Sequence, residues 1–212
     1  MEKITLSAWG DLMDCVAQTM AENAEMLCAM DASMGDGDLG LTMKKGYAAL
    51  PEIYRALEEP DMGKRLTKAG MKMASTVPST MGTLMASGWM EGGKCLVKCE
   101  AVDAAGFARF LRGFANGIAK RGKCAPGDRT VLDAIAPAAD AAEAAAAAGE
   151  DLAATAEAAL AGTCEGLERT KEMLPKFGKA AVFSEKARGV ADQGATAGML
   201  LVRGLRDGAA LA

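Results

Sequence analysis

Residues 5–30 read TLSAWGDLMDCVAQTMAENAEMLCAM. Their apolar members, Leu6, Trp9, Leu12, Met13, Val16, Met20, Leu27 and Met30, recur close to a 3.6-residue period. That is the period of one face of an α-helix, and no stretch of the chain shows the two-residue alternation of a half-buried strand. The same spacing returns outward from this segment, with stops between. It covers 40–57, ended by Glu58-Glu59-Pro60; 61–77, stopped before Pro78; and 79–91, ended by Gly92-Gly93. Asp103 suits the N-cap of a helix carrying Phe107, Phe110, Leu111 and Phe114. Asp128 suits the N-cap of another through Leu132 and Ile135, with a kink at Pro137. The low-complexity run Ala138–Gly149 (AADAAEAAAAAG) reads as helix continuing to a turn at Gly149, because Ala is a poor linker residue and a strong helix former. A long helix over 150–174 follows, and the last runs from near Gly194 to about Arg206. Ala, Leu, Met, Glu and Lys are abundant, whereas Val and Ile are scarce. The fold expected is all-α: one domain over residues 1–212, with about eight antiparallel amphipathic helices in a bundle or helical barrel.

The chain has 212 residues, 24 Lys plus Arg, 28 Asp plus Glu, a net charge of −4 and no histidine. The mild acidity argues against a nucleic-acid partner or an anionic membrane surface. No run approaches the about 18 apolar residues of a membrane span, and the start MEKITLSAWGDLMD lacks the apolar stretch of a signal peptide, so a cytoplasmic location is expected. Without histidine there is no Ser-His-Asp triad, no Cys-His dyad and no imidazole ligand for zinc. The six cysteines, at 15, 28, 95, 99, 124 and 164, form no C-x-x-C pair and are expected to serve as small apolar core residues. The 15 methionines are expected as core filler, and Trp9 and Trp89 as packing residues. Chemistry is left to carboxylates, hydroxyls, Lys and Arg, backbone amides or a bound cation.

Four loops carry more polar chemistry than a connection needs. The first, Asp31-Ala-Ser-Met-Gly-Asp36-Gly-Asp38-Leu-Gly40, places three carboxylates between glycines. Converging Asp side chains suit a hard divalent cation. An EF-hand is excluded, since the twelfth position counted from Asp36 is Tyr47. The same pattern also suits an Asx-rich turn with Asp38 as an N-cap, so both readings stay open here. The second loop, Ser75–Thr83, gathers hydroxyls where a helix begins, which fits either capping by Ser79 or Thr80 or an anion site. The third runs from Arg121 to Thr130, and the fourth, long for a connection, from Lys179 to Thr196. Together, helix starts bearing Gly, Ser, Thr and basic residues beside an Asp cluster point to a magnesium–nucleotide site. No Walker A pattern occurs.

These loops resemble one family. Gly35-Asp36-Gly37-Asp38-Leu39-Gly40-Leu41-Thr42-Met43 is similar to the GDxDxGxNM motif of the L subunit of dihydroxyacetone kinase. Pro126 to Ala134, PGDRTVLDA, resembles that family's PGDKTMxDA; Asp192 to Thr196, DQGAT, its DPGATS; and Gly178-Lys179-Ala180 its GRAS. The motifs occur in family order and span nearly the whole chain. The resemblance implies a barrel of eight helices with ADP or ATP held at one end. It implies that Asp31, Asp36 and Asp38 hold Mg²⁺, two ions in the family. It implies that Leu39, Gly40, Leu41 and Thr42, with Ser79 and Thr80, line the phosphates. Gly122, Thr130, Val131, Lys179, Asp192, Gln193 and Gly194 would surround the rest of the nucleotide.

The resemblance also implies partners: a separate K-type subunit that holds a short keto-sugar through a histidine, and a phosphotransferase-system protein as possible phosphoryl donor. This chain, without histidine, cannot itself be the K-type subunit. Leu39 stands where the family commonly has His, Thr42 where it has Asn, Lys179 where it has Arg, and Gln193 where it has Pro. The GGASGP loop of the family is shortened to Val77-Pro78-Ser79-Thr80-Met81. Two other roles use the same helical domain, the nucleotide module of a fatty-acid kinase and a non-catalytic regulatory protein.

Overall fold

The computed structural model describes residues 3–178, 181–182 and 187–211. Among the described residues it contains nine α-helices: α1 Ala8–Glu22, α2 Ala24–Ala32, α3 Leu39–Arg55, α4 Met62–Thr76, α5 Thr80–Lys94, α6 Ala104–Gly122, α7 Leu132–Ala147, α8 Leu152–Arg169 and α9 Gln193–Leu211. Eight of them close a ring in the order α3, α4, α5, α6, α7, α8, α9, α1, back to α3, each packed on the next, while the short α2 lies against α3 and α9. The ring bears out the expected all-helical, antiparallel architecture. Two strands of two residues each, β1 (Ile4–Thr5) and β2 (Ala101–Val102), pair antiparallel and tie the N-terminus to the start of α6. Period-two reading needs longer segments and does not see them.

Side-chain caps start several helices. Asp61 accepts from the Lys64 amide (2.9 Å), Ser79 from Gly82 (3.0 Å), Asp103 from Gly106 (2.8 Å) and Asp151 from Ala154 (2.8 Å). Each takes up one of the amides that a helix start leaves without an intrahelical partner. The interior of the ring is filled by Trp9 of α1, Trp89 of α5 and Phe110 and Phe114 of α6, all fully buried. Trp9 and Phe110 have ring centroids 4.9 Å apart, and Trp89 and Phe114 meet edge-on at 5.8 Å. Both tryptophans are therefore packing residues. α7 and α8 approach closely because Gly162 and Gly166 face Pro137 and Asp133; a Cβ on Gly166 would lie 2.3 Å from the Asp133 carbonyl oxygen. The Ala-rich run is helical to Ala147 and turns at Gly149, which has φ +85°.

Four expectations are corrected. The segment 5–30 is two helices, because the Asn23 side-chain amide donates to the Thr19 carbonyl (2.8 Å) and the chain breaks there. The helix expected over 150–174 ends at Arg169, followed by a single 3₁₀ turn over Thr170–Glu172. Asp128 is not an N-cap: positive φ at Gly127 (+94°) and Arg129 (+58°) delays α7 until Leu132. The Asp128 carboxylate instead accepts from the Ala125 amide (2.7 Å) and pairs with Lys176, which holds its carboxyl below the usual carboxylate range. The cysteines are core residues only in part: Cys99 and Cys124 are half-buried and pack against the core, Cys15 and Cys28 are half-buried, and Cys95 and Cys164 are exposed. The methionine expectation fares better, with Met13, Met20, Met43, Met62, Met73 and Met85 fully buried.

Candidate functional site

An antiparallel ring sends alternate helices the same way, so α3, α5, α7 and α9 all begin at one end. A cavity of about 460 Å³ opens there. Its lining includes Leu39 and Thr42 of α3, Ser79 and Thr80 at the start of α5, Thr130 and Val131 before α7, and Gln193 and Gly194 of α9. Each helix N-terminus carries roughly half a positive charge and free amides, so four converging ends are worth roughly two charges. Thr83 is the first α5 residue to donate within the helix, to Ser79 O at 2.9 Å, which leaves the Thr80 and Met81 amides without an intrahelical acceptor.

Opposite charge sits beside these ends. The carboxylates of Asp31, Asp36 and Asp38 lie with one oxygen each within 4.8 Å of one another, Asp31 buried and the other two exposed. Asp31 stands near the end of α2, and its Oδ2 accepts from the amides of Gly37 (2.9 Å), Asp38 (3.1 Å) and Leu39 (3.4 Å). It thereby folds the 35–39 loop around itself. Gly35 is required by contact, since a Cβ there would lie 2.4 Å from Asp31 Oδ1, and Gly37 by its φ of +77°. Asp38 occupies the N-cap position of α3, yet its side chain makes no capping bond and is left to the cluster. Three hard oxygen donors so close suit Mg²⁺ or a similar cation.

The far wall is built from the loop before α7. Asp133 Oδ1 accepts from the Gly127 amide (2.5 Å) and its Oδ2 from Thr130 (2.7 Å), while Thr130 Oγ1 accepts from the Leu132 amide (3.2 Å). This is a reciprocal capping arrangement, and Thr130-x-x-Asp133 is its sequence signature. Arg129 is 3 % exposed. Its Nε donates to Thr170 O (3.0 Å) and its Nη2 to Ala187 O (3.0 Å) and Val190 O (2.8 Å). Asp192, also buried, accepts from the Ala195 amide (2.8 Å) at the start of α9. Burial pushes its carboxyl up to about 6, with Asp133 adding to the rise, while the Ala195 amide and the Arg129 charge oppose it. Gln193 Oε1 is buried without a donor among the described residues.

Of the residues singled out from sequence, Asp31, Asp36, Asp38, Leu39, Thr42, Ser79, Thr80, Thr130, Val131, Asp192, Gln193 and Gly194 lie together on this cavity. Three do not line it. Gly40 packs against α2, where a Cβ would lie 1.8 Å from Ala24 O, and Leu41 points away, 64 % exposed. Gly122 sits one layer behind, against the side chains of Leu84 and Cys124. Lys179, with Ser184 and Glu185 of the same loop, lies outside the described residues. Arg129 and Phe177, which line the cavity, and Asp133 behind it were not singled out. The capping signature could have revealed Asp133; nothing local marks Arg129 as buried.

Ring and cavity define a class: a helical domain able to hold an anion and a hard cation side by side at one end. The chain belongs to the DAK2 domain family, whose pattern matches residues 33–207. It is 31% identical over 185 residues, 87% of each chain, to the ADP-binding subunit DhaL of PEP-dependent dihydroxyacetone kinase 1 from Listeria innocua. The corresponding Escherichia coli subunit is 26% identical over 180 residues, 85% of this chain and 86% of that one. The D-erythrulose kinase of Mycolicibacterium smegmatis is 31% identical over 196 residues, 92% of this chain but 34% of the relative. Among solved structures, the dihydroxyacetone kinase of C. freundii shares the fold, with TM-score 0.71 and 21% identity over 98% of this chain and 36% of that chain. The chain thus spans most of the separate subunits and about a third of the longer kinases.

Proposed function

We propose that the protein is the nucleotide-carrying subunit of a dihydroxyacetone-kinase-like phosphotransfer system of the cytoplasm. It holds ADP or ATP with Mg²⁺ in the cavity at the helix N-termini. The phosphoryl group goes to dihydroxyacetone or a related short keto-sugar on a separate K-type subunit, with a phosphotransferase-system protein as a possible donor. The observation that carries this reading is the Asp31, Asp36 and Asp38 cluster at a cavity ringed by four helix starts. The kinship with ADP-binding subunits and with a ketose kinase supports it.

Phosphoryl transfer asks a protein mainly for positioning and charge neutralisation, which a chain without histidine can provide. Bound Mg²⁺, two ions by family resemblance, would be held by the carboxylate cluster and would neutralise phosphate charge. Asp36 and Asp38 would present exposed carboxylate oxygens to the metal, with Asp31 beneath them fixing the loop. The free amides at the starts of α3 and α5 would donate to phosphate oxygens. Thr130, Val131, Gln193 and Gly194 would border the remainder of the nucleotide, and Lys179 would add charge from the following loop.

The test removes the exposed carboxylates and keeps the loop. Asp36→Asn with Asp38→Asn leaves Asp31 and its three amide bonds in place. The double variant is expected to stay folded by circular dichroism and to lose Mg²⁺-dependent ADP binding at least a hundredfold by calorimetry. Wild-type affinity in that variant would remove the metal assignment.

A further inference from the structure

Arg129 is a buried cation that forms no ion pair among the described residues, although its charge is felt by the buried Asp192 carboxylate. Among the described residues that line the cavity it is the one cationic side chain. Three of its donor contacts go to main-chain carbonyls of a single downstream segment, Thr170, Ala187 and Val190. Its Nη1 is shut off from solvent and has no acceptor among the described residues. A charge withdrawn from water in this way is costly unless something repays it. The segment it grips leads directly into the cavity wall: the Gly189 amide donates to Lys171 O (2.9 Å), the Asp192 amide to Thr170 Oγ1 (3.0 Å), and Asp192 then caps α9. The backbone of Arg129 itself is in the left-handed region, φ +58°, a conformation that a non-glycine residue adopts at a cost. Capping by Thr130 and Asp133, one and four residues on, holds it there.

We propose that Arg129 is a positioning residue of the cavity. One guanidinium clamps the backbone at Thr170, Ala187 and Val190 to the loop before α7, so setting the α9 wall against the α7 wall, and its charge favours an anionic ligand between them. The proposal rests on the nucleotide reading of the cavity for its ligand, and on the carbonyl contacts alone for its clamp. A lysine can keep the charge, but its single ammonium cannot span three carbonyls as the planar fork does.

The experiment compares wild type, Arg129→Lys and Arg129→Ala in the full chain. Hydrogen exchange of the Gly189, Val190 and Asp192 amides is expected to accelerate at least tenfold in both variants without nucleotide, with α4 and α5 unchanged. Mg²⁺-dependent ADP affinity is expected to fall at least tenfold in Arg129→Ala and less in Arg129→Lys. Mn²⁺ binding at the carboxylate cluster, followed by electron paramagnetic resonance, should stay within twofold of wild type. A variant that had merely lost its fold would lose metal and nucleotide together. If Arg129→Ala does not fold, Arg129→Lys carries the test. Unchanged exchange at the three amides overturns the clamp, and ADP affinity equal to wild type overturns the role in the site. Failure of wild type to bind ADP overturns the nucleotide reading and, with it, the ligand half of the proposal, but leaves the exchange result to judge the clamp.

Discussion

Asp31 and Asp192 are both buried carboxylates of the cavity, yet the fold treats them differently. Asp31 is met by three loop amides. Asp192 has the Ala195 amide and a guanidinium nearby, and burial outweighs both, raising its carboxyl from 3.8 to about 6. The folded state therefore holds that proton more tightly than the unfolded chain does. Stability from this group is complete below about pH 4 and is lost as pH rises to about 6 and beyond. The two units or so of shift correspond to about 3 kcal/mol. Asp192→Asn keeps a capping oxygen for Ala195 and removes the titration. The stability of the variant relative to wild type, from urea unfolding, is expected to rise by about this amount between pH 4 and pH 7. A difference that stays flat across that window would contradict the burial argument.

At the scale of elements, the site depends on how helices start and how closely they approach. Ser79→Ala removes the acceptor of the Gly82 amide at the head of α5 and should cost about 1 kcal/mol in urea unfolding. Gly166→Ala places a methyl on the Asp133 carbonyl and should cost about 2 kcal/mol or more as α7 and α8 are forced apart. Because Asp133 holds the Gly127 and Thr130 amides, the same change is expected to weaken ADP binding. Gly149→Ala is the control. It meets nothing within 4 Å and pays only for its positive φ, about 1 kcal/mol, with the cavity untouched.

The elements also show what a sequence can carry. Helical spacing located the eight ring helices because each buries one face against its neighbours. The break at Asn23 was hidden because a side chain, not a Gly or Pro, ends α1. The start of α7 was misplaced because Asp128 has the right residue type for a cap while its neighbours turn left-handed. Arg129 was missed for a deeper reason. Its partners lie 41 to 61 residues away, so only the folded chain reveals that a loop arginine is a core residue. The three-Asp loop was legible because glycine spacing and carboxylates are local features. Gly40 and Leu41, in the same motif, were carried by resemblance; the structure turns one to packing and the other outward.

For the whole molecule, the ring itself builds the site. Eight alternating helices gather four N-termini at one mouth, and the loops there set a cluster of three carboxylates beside helix-start amides. None of the nine described helices is long and apolar enough to cross a membrane. The central claim is that anion and cation bind together. Calorimetric titration of ADP into the nucleotide-stripped protein, with and without Mg²⁺, tests it most directly. The account predicts tight binding with Mg²⁺ and binding at least a hundredfold weaker without it. Equal affinity in the two conditions, or none in either, would contradict it.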